Sequence, residues 1–135
     1  MFLCDIKFNT MTTKINIVLL IDDSSVVSSR LVSMLEDSNN TQVILQATNY
    51  TEALNMMEEF RPDFVLIDIG LSGKTGMSLL EEIQEKHYGS KVVVITNLAN
   101  KQYKDFCERM GVNYFLDKSN DFELIPGIIT EAELN

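Results

Sequence analysis

The sequence predicts an α/β domain in which a parallel sheet is wound with helices on both faces. Two observations carry this expectation. Phe64, Val65, Leu66 and Ile67 form an unbroken apolar run that ends at Asp68 and gives way, after Ile69, to a loop containing Gly70, Gly73 and Gly76. A β-rich run without polar alternation is the pattern of a strand buried on both faces. The same event recurs along the chain: residues 15–21 end in Asp22 and Asp23, residues 91–95 end in Thr96, and Tyr114, Phe115 and Leu116 end in Asp117 and Lys118. Between these runs lie segments with apolar residues at helical spacing, so strands and helices alternate as in a doubly wound sheet.

Each helix has its own stripe. After the first strand, Ser24 and Ser25 offer an N-cap, and Val27, Leu31, Met34 and Leu35 recur at helical spacing until residues 37–40 end the run. Residues 42–48 read as the second strand. Ala53, Met56, Met57 and Phe60 form the next inward stripe, stopped before Arg61 and Pro62. Its methionines are core rather than a cofactor box. Met77, Leu80 and Ile83 mark the third helix; Tyr103, Phe106, Cys107 and Met110 mark the fourth, closed by Gly111. The last helix has two readings. Asn120 or Asp121 could cap a helix carrying Phe122, Ile125, Ile129 and Ala132 inward, or the helix could start near Ile125 with Pro126 in its first turn.

Composition limits the function classes. The chain has 135 residues, 45% of them hydrophobic, with room for one domain and a real core. Eleven Lys and Arg stand against twenty Asp and Glu, a net charge of −9, which repels phosphate backbones and anionic lipid. Binding to nucleic acid or to a membrane surface is therefore not expected, and no apolar run reaches the length of a membrane span. Cys4 and Cys107 lack a CxxC spacing and read as reduced thiols of a cytoplasmic protein. Residues 1–13 lack the basic start and apolar core of a signal peptide and are expected to be an N-terminal extension ahead of a domain over 14–135. Phe2, Leu3, Ile6 and Phe8 leave open an additional edge strand. His87, at the end of the third helix, reads as a solvated surface residue.

Chemistry is concentrated where the apolar runs stop. Ligands of open α/β sheets bind beyond the carboxyl ends of the strands, so Asp68 is placed to react, although capping a turn would also explain it. If the strands are parallel, Asp22, Asp23, Asp68, Thr96 and Lys118 converge on one edge. The set is more specific than any member of it.

In order and spacing, Asp22 and Asp23, Asp68, Thr96 and Lys118 resemble the acid pair, phospho-acceptor, switch hydroxyl and lysine of the response regulator receiver domains of two-component signalling. The resemblance covers nearly the whole chain. It implies a flavodoxin-like fold with five parallel strands in the order 2-1-3-4-5. It also implies Mg²⁺, the hard cation that relieves repulsion among clustered carboxylates, held by Asp23, Asp68 and the Gly70 carbonyl, with Asp22 acting through a water. Asp68 would take a phosphoryl group from a sensor histidine kinase or histidine phosphotransfer protein, with Lys118 neutralising the transferred oxygens. Thr96 would then bond the phosphoryl group while Phe115 turns inward, altering the face of the fourth helix, fifth strand and fifth helix.

As no effector segment follows, a stand-alone regulator is expected. It would act by docking an unidentified downstream protein or by passing phosphate onward, with Lys101, Tyr103 and Lys104 as a docking patch. The protein would be a signalling domain that catalyses only its own phosphoryl transfer and dephosphorylation. Three positions depart from the usual family pattern. Ser72 and Ser119 replace prolines, and Asn97 and Leu98 follow Thr96 in place of a small residue. A cis Lys118–Ser119 peptide would cost about 2.5–4 kcal/mol without proline. Gly73 and Gly76 are expected to keep the acceptor loop flexible. Two other functions compete: a phosphorylation-independent interaction module of the same fold, and a haloacid dehalogenase-type phosphohydrolase. The latter's motif needs an acid where Gly70 stands.

Overall fold

The computed structural model describes residues 16–22, 25–36, 42–69, 75–86, 89–97 and 100–134. The elements follow one another as β1 (Asn16–Ile21), α1 (Ser25–Glu36), β2 (Gln42–Ala47), α2 (Tyr50–Phe60), β3 (Phe64–Asp68), α3 (Thr75–Lys86), β4 (Lys91–Thr96), α4 (Lys101–Arg109) and β5 (Tyr114–Asp117). A 3₁₀ turn (Phe122–Leu124) then leads into α5 (Ile125–Leu134). Five strands form one sheet in the order β2-β1-β3-β4-β5, and every neighbouring pair is parallel. This is the expected topology.

Strand alternation divides the core into two layers. Val18, Leu20, Phe64, Leu66, Val93, Ile95 and Leu116 pack with Leu31 and Leu35 of α1 and with Phe122, Ile125 and Ile129 at the C-terminal end. Leu19, Ile21, Val65, Ile67, Val92 and Val94 face the other way, against Ala53 and Met57 of α2, Leu79, Leu80 and Ile83 of α3, and Cys107 of α4. With both faces covered, β3 is buried at every position, which is why its sequence shows no alternation.

Polar groups set the element ends. Ile17 N–H donates to the Asp63 carboxylate at 2.8 Å, while Asp63 N–H donates back to the Ile17 carbonyl at 2.8 Å, tying the start of β1 to the entry of β3. Asn113 does the same for β4 and β5. Its side-chain oxygen accepts from Val92 N–H at 2.8 Å and its own N–H donates to the Val92 carbonyl at 3.0 Å. Gly111 closes α4 with φ +82°, as the glycine after that stripe suggests.

Several expectations shift. The second strand stops at Ala47 rather than Thr48, because Thr48 N–H and Oγ1 donate to Glu52 Oε1 at 2.8 and 3.2 Å. Glu52 N–H in turn donates to the Asn49 side chain at 2.9 Å, which caps the start of α2. Phe60 is not part of the inward stripe. It stands at the last position of α2, before Arg61 leaves the helix in the left-handed conformation (φ 46°), and is 40% exposed. At the C-terminal end the second reading holds, with α5 starting at Ile125 and Pro126 in its first turn; of the first, Phe122 is buried as expected, in the 3₁₀ turn, but Asp121 makes no side-chain cap. Val27 and Ala132 lie outside the described side chains. Residues 1–13, Asp23, Gly70, Ser72, Gly73, His87 and Leu98 lie outside the described residues.

Candidate functional site

Four strands deliver their terminal residues to one edge. Asp22 follows β1, and its N–H donates to the Ala47 carbonyl at 3.1 Å, continuing the ladder with β2. Asp68 is the last residue of β3 and is in register with Ile95 of β4. Thr96 ends β4 in register with Asp117, and its carbonyl accepts the Lys118 N–H at 2.9 Å. All these side chains are therefore anchored to the sheet within a residue of its end.

By alternation Asp22, Asp68 and Lys118 continue the parity of Leu20, Leu66 and Leu116, so all three belong to the face covered by α1 and α5. The ammonium of Lys118 lies 2.6 Å from Asp68 Oδ2 and 3.2 Å from Asp22 Oδ2. The carboxylates are sequestered, with Asp22 3% and Asp68 8% exposed. Burial by itself pushes the Lys118 ammonium down. The hydrogen bond and charge of Asp68, followed by those of Asp22, outweigh it and leave the group above its ordinary value. At neutral pH Lys118 is thus a fixed cation serving two buried acids, and losing one member of such a group strands the others.

Thr96 and Phe115 occupy the opposite face. Thr96 is fully buried and shares the parity of Val94, whose register partner on β5 is Phe115. Phe115 is half-buried and packs against the core cluster formed with α2, α3 and α4. Asn97 is exposed, and Lys118–Ser119 is trans, there being no cis peptide among the described residues.

Gly76 departs from expectation. It lies in the first turn of α3, and a Cβ there would stand 2.4 Å from the Ile69 carbonyl oxygen and 2.6 Å from the Ile69 Cα. The helix rests directly on the backbone that follows Asp68. Glycine is required for this close approach rather than for loop flexibility.

Among the described residues no group of three acidic, histidine or cysteine side chains gathers into a metal cluster. Asp22 and Asp68 nevertheless aim oxygens at one cation, Lys118 Nζ, which is the chemistry that a hard divalent ion uses. Asp23 and Gly70, the other expected ligands, lie outside the described residues.

A parallel α/β sheet presenting two buried acids, a lysine and a buried threonine at the carboxyl ends of its strands has its charged site where open sheets bind their ligands. Residues 18–130 match the response regulator receiver domain, and the chain belongs to that family, the receivers of two-component signalling. The DNA-binding transcriptional activator EvgA of Escherichia coli K12 is 24% identical over 115 residues, covering 85% of this chain and 56% of EvgA. The chain thus spans about half the length of such curated relatives. A CheY-like receiver domain protein from Methanospirillum hungatei superposes with a TM-score of 0.75 at 24% identity, over 88% of this chain and 94% of that one. The Mn²⁺-bound response regulator Rcp1 gives 0.76 at 25% identity, over 84% and 91%. EvgA is by its name DNA-binding, so the expectation that nucleic acid is avoided finds no support among the relatives and stands on the −9 charge alone. No helix among the described residues is long and apolar enough to cross a membrane.

Proposed function

We propose that Asp68 accepts a phosphoryl group from the phosphohistidine of a sensor histidine kinase or histidine phosphotransfer protein. The observation carrying this reading is Lys118 Nζ, 2.6 Å from Asp68 Oδ2 and shared with Asp22. An Asp68 carboxylate oxygen attacks phosphorus in line; the O–P bond forms as the N–P bond breaks, and the departing imidazole nitrogen keeps the pair and takes a proton from water. The ammonium of Lys118 follows the developing charge from carboxylate to phosphoryl oxygen, a role suited to a compact point charge on a flexible stem. Asp23, Asp68 and the Gly70 carbonyl, with Asp22 through a water, would hold Mg²⁺, which would neutralise the transferred oxygens.

On this reading Thr96 bonds the phosphoryl group and Phe115 reports it to the surface of α4, β5 and α5. The output is phosphorylation-dependent docking of a downstream protein, or onward transfer of phosphate, in the cytoplasm. The buried free thiol of Cys107 supports a reducing location. The α4 patch is less cationic than its sequence suggests, because Lys101 is paired with Asp105 at 2.9 Å and Tyr103 packs partly into the core. Lys104 is exposed beside it.

Acetyl phosphate with Mg²⁺ tests the reading. The expected result is a gain of one phosphoryl mass that Asp68→Asn eliminates without loss of fold; undiminished uptake by that variant would refute it. Mg²⁺ should also raise the melting temperature through binding to the native state, and Asp23→Ala should remove that shift.

A further inference from the structure

We infer that Asp117 and Asp121 form a hydrogen-bonded clamp that positions Lys118 for transfer, an inference that rests on the phosphoryl-acceptor reading above. Lys118 is the first residue beyond β5, where the sheet ladder is about to end. One side of its backbone is tied to β4 through the Thr96 carbonyl at 2.9 Å. The other side is fixed by the turn. Asp117 Oδ1 accepts from Ser119 N–H at 2.8 Å, Asp117 Oδ2 accepts from the Asn120 side-chain amide at 3.2 Å, and the Asp117 carbonyl accepts the N–H groups of Asn120 and Asp121 at 3.2 and 2.8 Å. Asp121 closes the ring by accepting the Asp117 N–H on Oδ2 at 2.9 Å.

The direction of Asp121 shows that its carboxylate serves the lysine turn. It stands immediately before the 3₁₀ turn, where an aspartate ordinarily directs its oxygens forward onto free helical N–H groups. It makes no such cap. The 3₁₀ turn is entered through the backbone instead, with Leu124 N–H donating to the Asp121 carbonyl at 2.9 Å. The carboxylate turns back across Lys118 to the strand end. Neither acid touches Lys118 Nζ, so both act on the ammonium only through the backbone that carries it. That backbone matters because a reacting group displaced by about 1 Å can lose about 100-fold in rate, and a four-carbon stem amplifies any pivot at its base.

The test compares phosphate uptake from acetyl phosphate at saturating Mg²⁺ in the wild-type protein, Asp121→Ala and Asp121→Asn. Asp121→Ala should lower the maximal rate about tenfold, short of that full displacement. The acetyl phosphate concentration giving half-maximal rate should stay unchanged, because the ammonium acts on the transition state. Asp121→Asn keeps an oxygen that accepts the Asp117 N–H and should recover most of the rate. An alanine variant at the wild-type rate, or an asparagine variant as slow as alanine, overturns the clamp. Asp121→Ser, whose shorter acceptor falls short of Asp117, takes the place of alanine if that variant does not fold. A second measurement needs no phosphate. Exchange of the Lys118 amide hydrogen should accelerate in Asp121→Ala and be restored in Asp121→Asn, and unchanged protection overturns the clamp. Failure of the wild-type protein to take up phosphate removes the acceptor reading instead, and leaves the exchange result to decide the clamp.

Discussion

Strands β3 and β5 each deliver one member of the Asp68–Lys118 pair, and they are held by different means. Strand β3 lies between β1 and β4 and is buried at all five positions. Strand β5 is an edge strand, and only Leu116 of its four residues is buried. Asp68 is thus placed by close packing on both faces, with α3 resting on the next residue through Gly76. Lys118 is placed by a short ladder and by polar bonds in the turn beyond it. Asp68 depends on the core for its position, and Lys118 depends on hydrogen bonds.

Removing core beneath each strand should expose this difference. Leu66→Ala opens a cavity in the fully buried centre of β3 and should destabilise by about 2–5 kcal/mol, with a clearly smaller loss for Tyr114→Ala on half-buried β5. Denaturant midpoints at unchanged slope would show it, and equal losses would contradict the contrast. Gly76→Ala comes next. Its Cβ meets backbone, which cannot rotate away, so a loss of about 1–3 kcal/mol is expected, together with slower phosphate uptake because the chain after Asp68 must shift. Unchanged stability would show that α3 can move off Ile69 freely.

The smallest effect concerns Cys107, where burial pushes the thiol up from 9.0 to about 11. The folded thiol keeps its proton at a pH where the unfolded thiol has lost it. The corresponding stability is therefore complete below pH 9 and is lost as pH rises toward about 11. Comparing the alkaline stability profile with that of Cys107→Ala should reveal this component. Coincident slopes across that window would exclude it.

The Asp68 side was the more legible in sequence. A strand buried on both faces needs an apolar run, and a run that stops at a carboxylate declares both the strand and its functional end, as at Phe64 to Asp68. The helical stripes were equally plain wherever the helix lies over the sheet, and misleading at Phe60, where α2 has reached its last residue. Gly76 was visible as a glycine, but its reason is the distance between α3 and Ile69, a property of packing that no local pattern encodes. The spacing of Asp117 and Asp121 about Lys118 could have signalled an Asx turn. The direction that the Asp121 carboxylate takes, back to the strand rather than forward to the helix, depends on where β5 ends against β4.

Two buried carboxylates share Lys118, so the decisive question is which of them takes the phosphoryl group. Borohydride reduction of the acetyl phosphate-treated protein converts an aspartyl phosphate to homoserine, which peptide mass mapping locates. Homoserine at position 68, with Asp22 unmodified, is the predicted result; homoserine at position 22, with Asp68 intact, would contradict it.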